Sequence, residues 1–290
     1  MSVNKIVTKV DGVENKTIDF NDLKSGLSDG AHTITVEAYN GATLISSQTK
    51  NITIVTGYEA ETDSYINRVN TDTGSVIDEA YVDTVYKQLK ADASLANLLF
   101  WMDAKGGMKK DASNFISKAY DLSTSLNDPT QLTGASQPVL NTNIVFDGTD
   151  DKLNSSPITT NVGTTLYLRF STQSFGKMLL GKTGNNSAFC YTETSTKISF
   201  QGDDGSTKVS WVVPEITIGA LNDMFFVRSS TGYTLYLNGV SYGEKASSAA
   251  NFDIIGNYNV GGFEFNGGIE RISLFNEGLT TTKMNNIIAL

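Results

Sequence analysis

The sequence predicts a mainly β protein in which two β-rich segments are separated by a short helical one. Three observations carry this. Apolar and polar residues alternate with period two over many short runs, the signature of strands with one buried face. The turns between them rely on glycine, with 26 Gly against 4 Pro, as antiparallel sheets do. Residues 58–98 change to helical spacing instead. The 290 residues, 39% of them hydrophobic, suffice for one large or two to three modest cores.

Residues 1–57 read as a small β module. Ile34, Val36 and Ala38 alternate with Thr33, Thr35 and Glu37. Asn40 and Gly41 mark a hairpin turn, and the partner strand runs on to Ile52 and Ile54. The run from Leu27 to Ile54 resembles the C-terminal half of bacterial Ig-like modules. A full Ig sandwich takes about 100 residues, so the first strands are missing or abbreviated. An open sheet edge here would suit docking to another protein.

Residues 58–98 read as a helical hairpin linker. Tyr58, Thr62, Tyr65, Ile66 and Val69 recur at helical spacing. Ser75 is expected to cap a second helix, with Asp78 as its capping-box acid. Val82, Val85, Tyr86, Leu89, Ala93 and Ala96 form that helix's apolar face. The stripe would pack on the following domain or at a seam between subunits.

Residues 99–290 read as a large β domain. Its first strand is expected at Leu99–Met102. Later strands are expected at Lys177–Gly181, Ser187–Glu193, Lys197–Gln201, Lys208–Val213 and Glu215–Gly219. Met224–Gly232 and Tyr233–Leu237 continue the pattern. Asn238 and Gly239 then supply the two positive-φ positions of a type I′ turn into Val240 and Tyr242.

This domain resembles a laminin-G-like, concanavalin A-like jelly roll from roughly Leu99 onward. The resemblance rests on the Leu235–Val240 hairpin, on Gly268–Phe275 and on Leu279–Ile287. Ile144–Leu153 matches the family's opening hairpin and Leu166–Phe170 the strand after it. Lys283 or Met284 stands where the family's closing turn has Glu. Ala119–Leu132, preceded by two short helices, resembles a linker in phage virion proteins that carry such an end domain. Together these resemblances imply a bacteriophage virion surface protein, a capsid decoration, head fibre or tail adhesin. Its N-terminal module would attach to other virion proteins, and its jelly roll would be displayed toward host-surface glycans, as a homo-oligomer. The alternatives are a bacterial cell-surface lectin and a polysaccharide depolymerase.

The chemistry expected is sparse. A net charge of −9 repels phosphate backbones, which argues against nucleic acid. No run approaches the ~20 apolar residues of a membrane span. The first residues hold no apolar stretch of signal-peptide length, so synthesis in a host cytoplasm and display on the virion are expected. Cys190 is the only cysteine and His32 the only histidine, which leaves no intramolecular disulfide and no His-rich metal site. Family-16-type glucanases place catalytic acids in an E-x-D-x-x-E array. None exists, Glu193 stands alone, and the chain is read as not an enzyme. Asp147, Asp150 and Asp151 are read as turn acids. No cofactor is expected apart from a calcium ion on rim loops, with Asp203 and Asp204 as ligands. Glycan contacts are assigned to Tyr191, Asn257 and Tyr258, while Trp211 is assigned to the core.

Overall fold

A computed structural model describes residues 5–10, 13–15, 30–40, 43–54, 58–183, 188–203, 208–257 and 262–290. The chain divides into two units, Met1–Ala60 and Glu61–Leu290.

The first unit holds β1 (Lys5–Val10), β2 (Val13–Asn15), β3 (Gly30–Asn40) and β4 (Thr43–Ile54). They form an antiparallel sheet in the order β2-β1-β3-β4. β3 and β4 pair from Gly30 opposite Ile54 to Asn40 opposite Thr43, with a bulge at Ala38 and Tyr39. The hydroxyls of Thr35 and Thr49 hydrogen-bond across this pair at 2.9 Å. Gly41 of the expected turn lies outside the described residues.

The second unit opens with α1 (Ala60–Thr71), β5 (Ser75–Val76) and α2 (Glu79–Ala91). Strands β6 (Leu98–Asp103), β7 (Gly107–Lys110), β8 (Ile116–Ala119), β9 (Val139–Leu140), β10 (Ile144–Asp147) and β11 (Leu153–Thr159) follow. Next come β12 (Thr165–Thr172), β13 (Lys177–Gly181), β14 (Phe189–Thr194), β15 (Lys197–Gln201) and β16 (Lys208–Val212). The chain continues with β17 (Asn222–Arg228), β18 (Gly232–Leu237), β19 (Val240–Ala246), β20 (Asn251–Ile255), β21 (Asn266–Phe275) and α3 (Thr281–Ala289).

Two antiparallel sheets form a sandwich, so the expected mainly β, jelly-roll-like class is what the chain adopts. The larger has eight strands in the order β19-β18-β17-β12-β21-β10-β9, with β6 also on β21. The smaller runs β11-β20-β13-β14-β15-β16. A third, three-stranded sheet is β5-β7-β8. Asn238 and Gly239 have φ of +52° and +80°, as the type I′ turn between β18 and β19 requires.

Alternation along β6, β12 and β17 sends residues to two different cores. Phe100, Leu166, Leu168, Met224 and Phe226 face the smaller sheet. Phe200 of β15 meets Phe226 at 5.0 Å and Tyr233 at 4.3 Å between ring centroids, joining the two sheets. Trp101, Tyr167 and Phe225 face the other way. There they pack with Tyr65 and Val69 of α1, Val82, Val85 and Leu89 of α2, and Met284 and Ile287 of α3. One face of the larger sheet is therefore covered by helices. Two tyrosines pin that cover. Tyr65 OH accepts from Gly107 N at 2.6 Å and donates to Tyr120 O at 3.0 Å, and Tyr86 OH donates to Leu122 O at 2.6 Å.

Local expectations are corrected at four places. Asp78, not Ser75, caps α2, its side chain accepting from Tyr81 N at 2.9 Å. Ser75 and Val76 instead pair with Met108 and Gly107. Ala93 and Ala96 lie beyond the end of α2, and Ala93 has φ +53°. Glu215–Gly219 is not a strand. Pro214 lacks the donor that a ladder needs, and Gly219 turns the chain at φ +78°. Ile144–Leu153 is not a hairpin either. β10 pairs with β21 and β9, whereas β11 pairs with β20, so residues 148–152 cross from one sheet to the other.

Candidate functional site

With helices on one side of the sandwich, the outer face of the smaller sheet is the broad strand surface left uncovered by that helical layer. Its residues follow from alternation. Cys190, Ile198, Phe200, Val209 and Trp211 belong to the core. Their neighbours Tyr191, Glu193, Lys197, Ser199, Gln201, Lys208, Ser210 and Val212 therefore fall on the opposite face. Register aligns them in rungs. Tyr191 lies opposite Ser199, which lies opposite Ser210. Phe189 lies opposite Gln201 and then Lys208, and Lys197 lies opposite Val212.

Glu193 is the polar centre of this face. Its carboxylate accepts from the Ser199 hydroxyl and, at 3.3 Å, from Ser210. The two serine hydroxyls are 2.6 Å apart. Lys208 Nζ approaches Glu193 at 3.2 Å and Lys197 Nζ at 3.7 Å. The Ser199 hydrogen bond, followed by the lysine charges, outweighs burial and holds the Glu193 carboxyl below its ordinary range. Burial opposes the Lys208 charge, but Glu193 and Tyr191 outweigh it and its pKa is raised. Lys208 Nζ also reaches Tyr191 OH at 3.4 Å and stands 5.9 Å from its ring centre. Phe189 meets Tyr191 edge to face at 5.4 Å, with Met178 packed alongside. Val212 is 77% exposed. Tyr191 itself is only 9% exposed and Ser199 is buried, so what this face offers a ligand is the two ammonium groups, the Glu193 carboxylate and the exposed Val212, set over a packed aromatic ring.

Sequence reasoning picks out Tyr191, which the structure leaves only 9% exposed against Phe189 and Met178, and it treats Glu193 as isolated. Glu193's partners come from two further strands, and only the register brings them together. Asn257 is buried just after β20, beyond Gly256, whose φ is +81°. Asp203 forms an ion pair with Lys182 at 3.0 Å and accepts from Asn251 Nδ2. Tyr258 and Asp204 lie outside the described residues. Trp211 is in the core, with Nε1 donating to Gly243 O at 2.9 Å.

Acids do cluster elsewhere. Asp147, Asp150 and Asp151 bring one carboxylate oxygen each within 4.8 Å of the others, a set that could hold a metal ion. Asp151 is buried and accepts from Asp147 N at 2.9 Å. Burial, opposed by that hydrogen bond and reinforced by the two neighbouring charges, pushes its pKa up to about 6. Asp150 accepts from Ser136 Oγ at 2.7 Å, and Asp147 from Thr149 N at 2.7 Å. Asp147 ends β10, and Asp150 and Asp151 lie on the crossover that follows it.

An open depression of about 550 Å³ is lined by Arg68, Thr71, Asp72, Lys118, Tyr120, Leu126 and Asp128. Its charges satisfy one another. Arg68 donates to Asp128 at 2.8 and 2.9 Å, Lys118 pairs with Asp72 at 2.9 Å and Asp128 at 3.1 Å, and Tyr120 OH donates to Asp72 at 2.9 Å. This network fastens α1 to the strand and loop beneath it.

No protein-family model matches the chain, and no curated protein matches it. Solved structures do resemble it in fold. A Trypanosoma rangeli sialidase in complex with sialic acid aligns at 11% identity and a TM-score of 0.49, over 89% of this chain and 42% of that one. The chain thus spans less than half the length of that relative. Domain 4 of AbnA, a GH43 extracellular arabinanase from Geobacillus stearothermophilus in complex with arabinotriose, aligns at 14% and 0.39, over 49% and 74%. A Ruminococcus gnavus IT-sialidase CBM40 bound to alpha2,3 sialyllactose aligns at 14% and 0.34, over 43% and 82%. Below 25% identity and a TM-score of 0.5, these likenesses concern the fold and nothing finer.

They do correct one expectation. The chain was read as not an enzyme because it lacks a paired-carboxylate array. Chains named as sialidases align with this one, and some glycoside hydrolases, sialidases among them, depart from the two-carboxylate scheme. The missing array therefore excludes no activity, and that assignment is withdrawn.

Proposed function

We propose that the sandwich binds glycans through the outer face of its six-stranded sheet. We propose further that the chain is a bacteriophage virion surface protein, attached to other virion proteins by residues 1–57. The observation that carries the glycan reading is the Tyr191 ring set among Glu193, Lys208, Ser199 and Ser210. Sugar rings offer apolar C–H faces to apolar side chains and hydroxyls to polar groups, and Val212 with Lys197, Lys208 and Glu193 supplies both, over the 9% exposed Tyr191 ring. The virion reading is supported by the Ala119–Leu132 segment and the jelly-roll motifs.

A glycan array probed with the wild-type chain and with Tyr191→Ala tests the first part. Binding that falls at least about tenfold in the variant is expected, in line with loss of an aromatic anchor. Equal binding by both proteins would remove this face from consideration. Mass spectrometry of purified particles tests the second part, with the chain expected among the virion proteins.

A further inference from the structure

The glycan-binding reading above leaves the sugar class open, and the charges on this face narrow it. We infer that the ligand is an acidic, carboxylate-bearing glycan. The inference rests on that reading of the face.

The chain as a whole carries nine more acidic than basic charges. On strands β14 to β16 the outward residues reverse this sign. Lys197 and Lys208 project there with a single acid, Glu193. Both lysines address that one carboxylate, at 3.7 and 3.2 Å. Their side chains are 40% and 42% exposed, whereas Glu193 is 22% exposed. One carboxylate cannot neutralise two ammonium groups, and Glu193 already accepts from two serine hydroxyls. Among the described residues the set keeps one excess positive charge, with the cations more accessible than the anion.

A neutral sugar laid over Lys197 and Lys208 would strip water from their ammonium groups and return only neutral hydrogen bonds, which is unfavourable. A sugar carboxylate would replace the lost water with a charge-assisted contact. Val212, beside Lys197 in register, offers an apolar surface to the same ring. Glu193 then acts as a positioning residue, holding both lysines over the sheet through its own pairs.

The test uses one polymer backbone in two charge states. Oligogalacturonate and its fully methyl-esterified form are titrated calorimetrically into the full chain at low salt, beside an array carrying other acidic and neutral glycans. Acidic forms are expected to bind about tenfold more tightly than their neutral counterparts, and added salt should erase the preference. Lys197→Gln/Lys208→Gln, with folding checked by circular dichroism, is expected to lose the preference while keeping residual Tyr191-dependent binding. Neutral glycans bound as tightly as acidic ones, with Tyr191→Ala still defective, would overturn the acidic assignment and leave the glycan-binding reading standing. No binding to any acidic or neutral glycan would overturn both.

Discussion

Arg271 and Asp103 form an ion pair at 2.7 Å between neighbouring strands β21 and β6, and neither side chain has any exposed surface. The guanidinium also donates to Ile287 O of α3 at 2.7 Å and to Tyr81 OH of α2. Its centre stands 5.0 Å from the Trp101 ring. One cation therefore joins two strands and two helices.

Removing one partner strands the other charge in an apolar layer. Asp103→Ala or Arg271→Ala should each cost about 3–5 kcal/mol in urea unfolding. Asp103→Leu/Arg271→Met, which leaves no buried charge, should be less damaging than either single change. A double variant worse than both singles would contradict this account.

Two glycines with almost the same φ should respond very differently to alanine. Gly239 has φ +80° with nothing within 4 Å of an added Cβ. Gly239→Ala should cost only the conformational strain, about 1 kcal/mol. Gly256 has φ +81°, but a Cβ there overlaps the buried Phe146 ring. Gly256→Ala should cost about 3 kcal/mol or more, since overpacking adds to strain. Thermal midpoints of the two variants give the comparison directly.

Asp151 should make the fold less stable as pH rises. Its pKa is raised in the folded chain to about 6, from 3.8. A carboxyl raised in this way favours the native state only while protonated. Its contribution is complete below about pH 4 and is lost as pH climbs through about 6. Asp151→Asn keeps an acceptor for Asp147 N and removes the buried charge. The variant should unfold at higher temperature than wild type at pH 8 and at nearly the same temperature at pH 4. The opposite order at pH 8 would refute the assignment.

Glu193 should act with the opposite sign. Its carboxyl is held low by Ser199 and the lysines, so its stabilising contribution is present above the ordinary glutamate range and fades as pH falls. Glu193→Gln should flatten the acid side of the stability profile while leaving the alkaline side unchanged. Thermal unfolding from pH 3 to 8 reads this.

Much of the fold was legible because alternation and turn chemistry are local. Asn238 and Gly239 announced their turn, and strands such as Lys177–Gly181 and Lys197–Gln201 were bounded correctly. Glu215–Gly219 mimicked a strand because Ile216 and Ile218 alternate with polar neighbours. Only Ile216 is buried, however, and Ile218 is 53% exposed. The crossover at residues 148–152 was misread because a short turn looks alike whether its flanking strands pair or part. The site was half visible. An aromatic in a polar strand can be picked out, but the lysines and serines around Glu193 lie on β15 and β16. No pattern within β14 encodes those neighbours.

β21 also sets an order of events during synthesis. It lies between β12 on one side and β10 with β6 on the other, and Arg271 is 168 residues beyond the aspartate it pairs with. A ribosome that has completed residue 265 has released β6, β10 and β12 without the strand that unites them. Their inner edges then wait unpaired, and assembly of the larger sheet waits for the ten residues of β21. Until they emerge, the nascent chain is most exposed to pairing with the wrong neighbour.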